Sequence, residues 1–159
     1  MGNDLLTDDA VGLRVAHEVR QRLVGDPRIE VKETAEMGLA LLDLIVDRDS
    51  LIVVDSIQTG DQPPGHVHEL EPEHFPEHAM RSPHALGVDK LCKLGRMRGL
   101  SAPTHVRLIA IEVQDPFTLG TEMTPEVQDA IDDAADLVVQ RALEFAQLPA
   151  EEHAHGEAR

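Results

Sequence analysis

Asp8, Asp9, Asp55 and His84 are the residues whose types and positions could do chemistry in this chain. Two adjacent acids sit where a loop gives way to a helix. Thr7 and Asp8 are good N-cap residues. Behind them Val11, Val15, Val19 and Leu23 recur at every fourth position, and Gly25 is a natural stop. Asp55 closes the apolar run Leu51-Ile52-Val53-Val54, and His84 lies at a loop-to-helix junction. Carboxylate oxygens and an imidazole nitrogen form a sensible donor set for a divalent transition metal. One of the carboxylates could instead act as the base that activates a water. The plainer alternative is that Asp8 and Asp9 cap the helix and complement its positive end. With nine His and 30 acids, some triples of this kind arise without any function.

The elements that must position these residues alternate. After the first helix, Arg28–Lys32 alternates polar and apolar and reads as a short strand. Met37–Val46 has helical spacing through Leu41, Leu42 and Ile45. Leu51–Val54 is a continuous apolar run rich in β-branched residues, which suits a strand covered on both faces. Gln58–Gly65 is loop, His66–Leu70 an edge strand, and 72–83 irregular. A helix is expected from His84 to Met97, a buried strand over Val106–Ile111 and a loop over Gln114–Thr121. A last helix is capped by Thr124, has Pro125 at its first position and reaches about Gln147. This order predicts an α/β three-layer sandwich, with a mostly parallel central sheet flanked by helices. Ligands of such sheets bind at the carboxyl ends of the strands, where Asp55 stands. Residues 1–148 read as a single domain and 149–159 as a polar, disordered tail.

Composition narrows the function. A chain of 159 residues with no Trp, no Tyr and three Phe must build an aliphatic core. A formal charge of −16 disfavours nucleic-acid and anionic-membrane surfaces, both of which need a basic patch. The single Cys92 makes no internal disulfide and no Cys-based zinc site. It reads as a helix residue. There is no signal peptide and no apolar run of membrane-spanning length, so the expected location is cytoplasmic. No Ser-His-Asp pattern and no His-Glu-x-x-His helix is present.

Three short blocks carry a resemblance. Gly2-Asn3-Asp4-Leu5-Leu6-Thr7-Asp8-Asp9-Ala10-Val11-Gly12 is similar to the opening signature of the hydrogenase maturation endopeptidases. Leu51–Ser56 followed by Pro64-Gly65, and Ser82-Pro83-His84-Ala85-Leu86-Gly87, match in the same order. Ile109-Ala110-Ile111 and Met123–Val127 extend the resemblance to roughly residues 2 to 145. The resemblance implies a peptidase that removes the C-terminal extension from the immature large subunit of a nickel-iron hydrogenase. It implies that Asp9, Asp55 and His84 are the nickel-contacting and catalytic set. The nickel is expected to be carried by the substrate, with no permanently bound cofactor, and the protease to be a monomer. The cut is expected after a His or Arg near the last metal-binding cysteine motif. In either chemistry the acids must be ionised and the His neutral.

Two departures shape the expectations. The family begins with a hydrophobic strand running into the Gly-Asn turn, whereas this chain begins Met1-Gly2-Asn3, so the first strand is expected to be missing. That feature favours a second reading, a non-catalytic metal- or precursor-binding protein derived from such a protease. A peptidase acting on some other protein is a third. Where the family often has Asp-Gly-Gly-Thr, this chain has Glu33-Thr34-Ala35-Glu36, so Glu33 and Glu36 are further cleft candidates. His66 and His68 would share a strand face. Either that pair or His153 and His155 could bind stray metal, though surface decoration is the simpler role. His74 and His78 could shape a cleft.

Overall fold

The stripe Val11, Val15, Val19 does what its spacing demands. In the computed structural model, which describes residues 1–36, 38–71 and 88–149, it forms the buried face of helix α1 (Val11–Arg22). Those three valines are essentially inaccessible, and Leu23 packs beside them. The stripe meets the small-residue face of α4 (Pro125–Phe145), where Ala130, Ala134 and Ala135 let the two helices approach. A short 3₁₀ turn, Asp8–Ala10, leads into α1.

The sheet has three strands in the order β1-β3-β2: β1 (Ser50–Ile57), β2 (Val67–Leu70) and β3 (His105–Glu112). β1 runs parallel to β3, with Val54 opposite Ile109, and β2 lies antiparallel on the far edge of β3, with Val67 opposite Ile111. Side chains alternate across the strands, and the sheet is covered on both faces. Val54, Ile109 and Ile111 pack under α1 and α4. Val53, Ile57, Leu108 and Ala110 pack under α2 (Leu42–Ile45) and α3 (Val88–Met97). This is the expected three-layer α/β arrangement with a mixed sheet. Each fully buried Ile or Leu contributes about 1.5–3 kcal/mol. None of the helices in the described residues is long and apolar enough to cross a membrane.

Three local expectations are corrected. Arg28–Lys32 is not a strand, because no described strand lies beside it to complete a ladder. Over 37–46, the described part divides into a 3₁₀ turn, Gly38–Leu41, and the four-residue α2, rather than one helix. Neither expected cap acts on its own helix. Thr7 Oγ1 instead donates to the carbonyl of Asp115 at 2.6 Å. The expected start of the third helix at His84 falls outside the described residues, as does the expected tail after Pro149.

The Thr124 hydroxyl is drawn to Asp8. The Asp8 side chain is completely buried. It accepts hydrogen bonds from the backbone N–H of Gln114 (3.2 Å), Asp115 (2.9 Å) and Thr124 (2.7 Å), and from Thr124 Oγ1 (2.6 Å). One carboxylate thus holds both ends of the β3–α4 loop. The two loops are laced further by Thr7 N–H to Thr118 O (3.0 Å) and Gly120 N–H to Leu5 O (3.1 Å). On the other edge of the sheet, Arg141 of α4 grips Glu69 of β2 through two hydrogen bonds of 2.6 and 2.9 Å. Those bonds hold the Glu69 carboxyl below the ordinary carboxylate range, against the effect of burial.

Asp8→Ala leaves three partly buried backbone donors without their acceptor and is expected to lower stability by about 3 kcal/mol. Asp8→Asn, which keeps an acceptor oxygen, is expected to lose clearly less. The urea midpoint at unchanged slope measures both. Because Glu69 binds its proton more weakly folded than unfolded, its contribution is present above the unfolded carboxylate value, about 4.3, and is lost as pH falls below it. Arg141→Met is therefore expected to destabilise the protein at pH 7, with the difference shrinking in acid. Melting curves across pH would show a constant difference if the pair contributes nothing.

Candidate active site

All the buried acids among the described residues gather at one end of the sheet, the carboxyl end of β1 and β3. They are Asp8, Asp9, Asp55 and Glu112, with the buried hydroxyl of Ser56 among them. Asp8 is spent on the loop described above. The other three divide in the same way, one holding a loop and two facing a shared hydroxyl residue.

Glu112, at the end of β3, was not singled out by the sequence. It accepts the N–H groups of Thr59 and Gly60 and the hydroxyl of Thr59, each at 2.8 Å. His68 Nε2 stands 3.1 Å from its second oxygen. This carboxylate fixes the loop that leaves β1 just beyond Asp55. The signal was available: Glu112 closes the apolar run of β3 as Asp55 closes that of β1. His66 and His68 do lie together, their rings 4.7 Å apart, but His68 is committed to Glu112.

Asp9 and Asp55 both contact Ser56, the first through its hydroxyl and the second through its backbone N–H. Asp9 Oδ1 accepts the Ser56 hydroxyl at 2.7 Å, and Asp9 Oδ2 accepts the Asn3 N–H at 3.0 Å. Asp55 Oδ1 accepts the N–H of Ser56 at 3.0 Å. Asp9 is 5% exposed and Asp55 0%. The Asn3 contact requires the N-terminal turn to lie directly on the start of α1, and two glycines make this possible. A Cβ on Gly2, at φ 146°, would stand 2.1 Å from the carbonyl oxygen of Asp9. A Cβ on Gly12 would stand 2.1 Å from that of Met1 and 2.8 Å from that of Val54. The Met1 amine also lies here. Burial pushes its pKa below the ordinary value, while the negative charges of Asp55, Asp9 and Glu33 pull the other way.

Strand alternation puts Asp55 on the same sheet face as Val53 and Ile57, the face covered by α3. His84 precedes α3 in the chain but lies outside the described residues, as do His74, His78, His153 and His155. Among the described residues no group of three His, Cys, Asp or Glu is placed to hold a metal ion. Glu33 is paired at the surface with Arg20, and Glu36 is exposed. Cys92 is buried in α3, where burial raises its thiol pKa.

Two buried carboxylates that contact one serine thus stand at the carboxyl end of the sheet, where ligands of such folds bind. Comparison with known proteins gives the chain a family. The sequence profile of the hydrogenase maturation proteases matches residues 13–141. The hydrogenase 2 maturation protease of Escherichia coli is 29% identical over 141 residues, 87% of this chain and 85% of that protein. The structure of the hydrogenase maturating endopeptidase HybD from E. coli superimposes with a TM-score of 0.78 at 29% identity, covering 91% of this chain and 89% of that one. The nickel-iron hydrogenase maturation protease HybD from Thermococcus kodakarensis shares the fold, with a TM-score of 0.67 at 22% identity over 89% and 94% of the two chains. The chain is thus a peptidase, and it belongs to the hydrogenase maturation protease family.

Proposed function

We propose that this protein removes the C-terminal extension of a nickel-loaded nickel-iron hydrogenase large-subunit precursor, with Asp9, Asp55 and His84 contacting the substrate's nickel. The observation that carries the reading is the link Asp9–Ser56–Asp55. It ties Asp9, from the turn before α1, to the residue that follows Asp55 near the end of β1, where ligands of such folds bind. His84 enters through its place in the chain: it shortly precedes α3, the helix over the face that Asp55 joins. The nickel is cargo that arrives with the precursor. A precursor without metal then presents nothing for the carboxylates to hold, so cutting waits for a loaded subunit.

Two routes to hydrolysis are open to these residues. Nickel held between precursor and protease can polarise the scissile carbonyl or a water. Alternatively one carboxylate, Asp9 or Asp55, takes the proton of the attacking water. Both need ionised acids and a neutral imidazole, so activity is expected to fall in acid. The open outer edge of β1 favours a second reading, in which the protein binds the precursor without cutting it.

One assay separates these. Purified protein is mixed with nickel-loaded and nickel-free precursor, and the mass of the precursor's C-terminus is followed. The tail is expected to be lost from the loaded form only. Asp9→Asn, Asp55→Asn and His84→Ala are each expected to slow cleavage by about a hundredfold or more while keeping the native melting temperature. A folded variant that still cleaves normally removes that residue from the mechanism. Tight precursor binding without a cut would establish the second reading.

A further inference from the structure

Phe117 is 61% exposed in a chain that has three Phe, no Trp and no Tyr. Leu5 and Leu119, 65% and 78% exposed, stand on the same pair of loops. These loops are not loose. Leu6 bridges Leu119, and Gly120 N–H donates to the Leu5 carbonyl at 3.1 Å. Asp115 Oδ1 accepts the N–H groups of Phe117 at 3.1 Å and Thr118 at 3.0 Å. Asp8 clamps both ends of the longer loop. An apolar side chain exposed singly needs no explanation, but three large ones on one laced pair of loops mark an interaction surface. Because the backbone beneath them is already fixed, little ordering remains to be done on binding.

The surface adjoins the buried carboxylates. Asn3 N–H donates to Asp9 Oδ2, and Asn3 Oδ1 accepts the N–H of Leu5, both at 3.0 Å, so one residue joins Asp9 to Leu5. Charge in the described segments at this end of the sheet has one sign. Residues 1–13, 58–65 and 113–124 contain no Lys or Arg. They expose Asp4, Asp61 and Glu122. Hydrogen bonds from the Thr118 side chain and from the N–H groups of Phe117 and Thr118 hold the Asp115 carboxyl below its ordinary value, so it stays charged as well.

We infer that Leu5, Phe117 and Leu119 form a docking surface for the hydrogenase precursor, and that the precursor segment seated there carries apolar side chains flanked by Lys or Arg. The choice of partner rests on the reading of Asp9 and Asp55 as the protease site. Charge selects among occupants. A second copy of this chain would bring its own Asp4, Asp115 and Glu122 against the same acids, and an anionic membrane would be repelled in the same way. A basic, apolar segment covers Phe117 and Leu119 and meets the acids around them. The surface lies beside the carboxylates and not among them, so its grip on the precursor is independent of nickel.

Nickel-free precursor is therefore the probe. The wild type is expected to bind it, and to bind it more weakly as salt rises. Phe117→Ser combined with Leu119→Ser is expected to weaken that binding about tenfold or more at an unchanged melting temperature. Glu122→Lys is expected to weaken it too. Met97 is 83% exposed at the close of α3, shortly before β3 begins at the other end of the sheet, and Met97→Ser is expected to change nothing. On nickel-loaded precursor the double variant is expected to raise KM about tenfold and leave kcat as it was. Equal binding by wild type and double variant overturns the inference, as does no binding of nickel-free precursor by the wild type. Self-association of the wild type that the double variant abolishes also overturns it and gives the surface to a second copy. The two readings fail separately. Binding weakened in the double variant, with loaded precursor left uncut by the wild type, keeps the docking surface and removes the protease reading. Cutting by the double variant at an unchanged KM does the reverse.

Discussion

A carboxylate with no exposure to water must be surrounded by donors, and Asp8 meets that requirement by drawing four of them from the far end of the chain. The cost of burying an ion without partners is large, so the contact is close to all-or-none. Either the loop between β3 and α4 closes over the N-terminal turn, or Asp8 stays in water and the turn is free. The remaining geometry at this end follows. With Asp8 seated, residues 5–8 lie against 115–120, α4 starts at a fixed point, and the next residue in the chain, Asp9, is aimed at Ser56.

Neighbouring acids cannot share a task here, because successive residues of a 3₁₀ turn point about 120° apart. One of the pair faces the loop, and the other faces β1. Residue type and spacing show two adjacent Asp without telling the loop-holding one from the other; only the resemblance singles out Asp9. The division depends on where β3 delivers its loop, a tertiary fact. Glu112 and Asp55 form a second such pair, each ending an apolar strand. Glu112 is drawn into the Thr59-Gly60 backbone, while Asp55 meets Ser56.

What was legible follows from periodicity. The valine stripe of α1, the apolar runs of β1 and β3, and the Pro125 start of α4 are patterns that only one secondary structure satisfies, and each formed where it was read. The expected caps differ because their hydroxyls reach across to the other loop, Thr124 to the charged carboxylate of Asp8 and Thr7 to the carbonyl of Asp115. Arg28–Lys32 carries the alternation of a strand, but a strand is defined by its neighbour, and here that neighbour position is a cavity. Ser56 is ordinary by type, and its role comes from the hydroxyl it donates to Asp9, a contact between distant segments that spacing does not reveal.

The proposed handling of nickel is a matter of balance between holding and releasing. A full set of side-chain ligands binds a divalent metal tightly enough to strip it from its carrier. Two carboxylates fixed in advance, one imidazole and the precursor's own ligands share the ion instead. Fixing the carboxylates matters for speed as well as affinity, since hydrogen bonds from Ser56 and Asn3 remove motions that would otherwise be frozen on binding. Asn3 reaches Asp9 from the N-terminal turn, and the close approach that Gly2 and Gly12 allow sets the aim of that carboxylate.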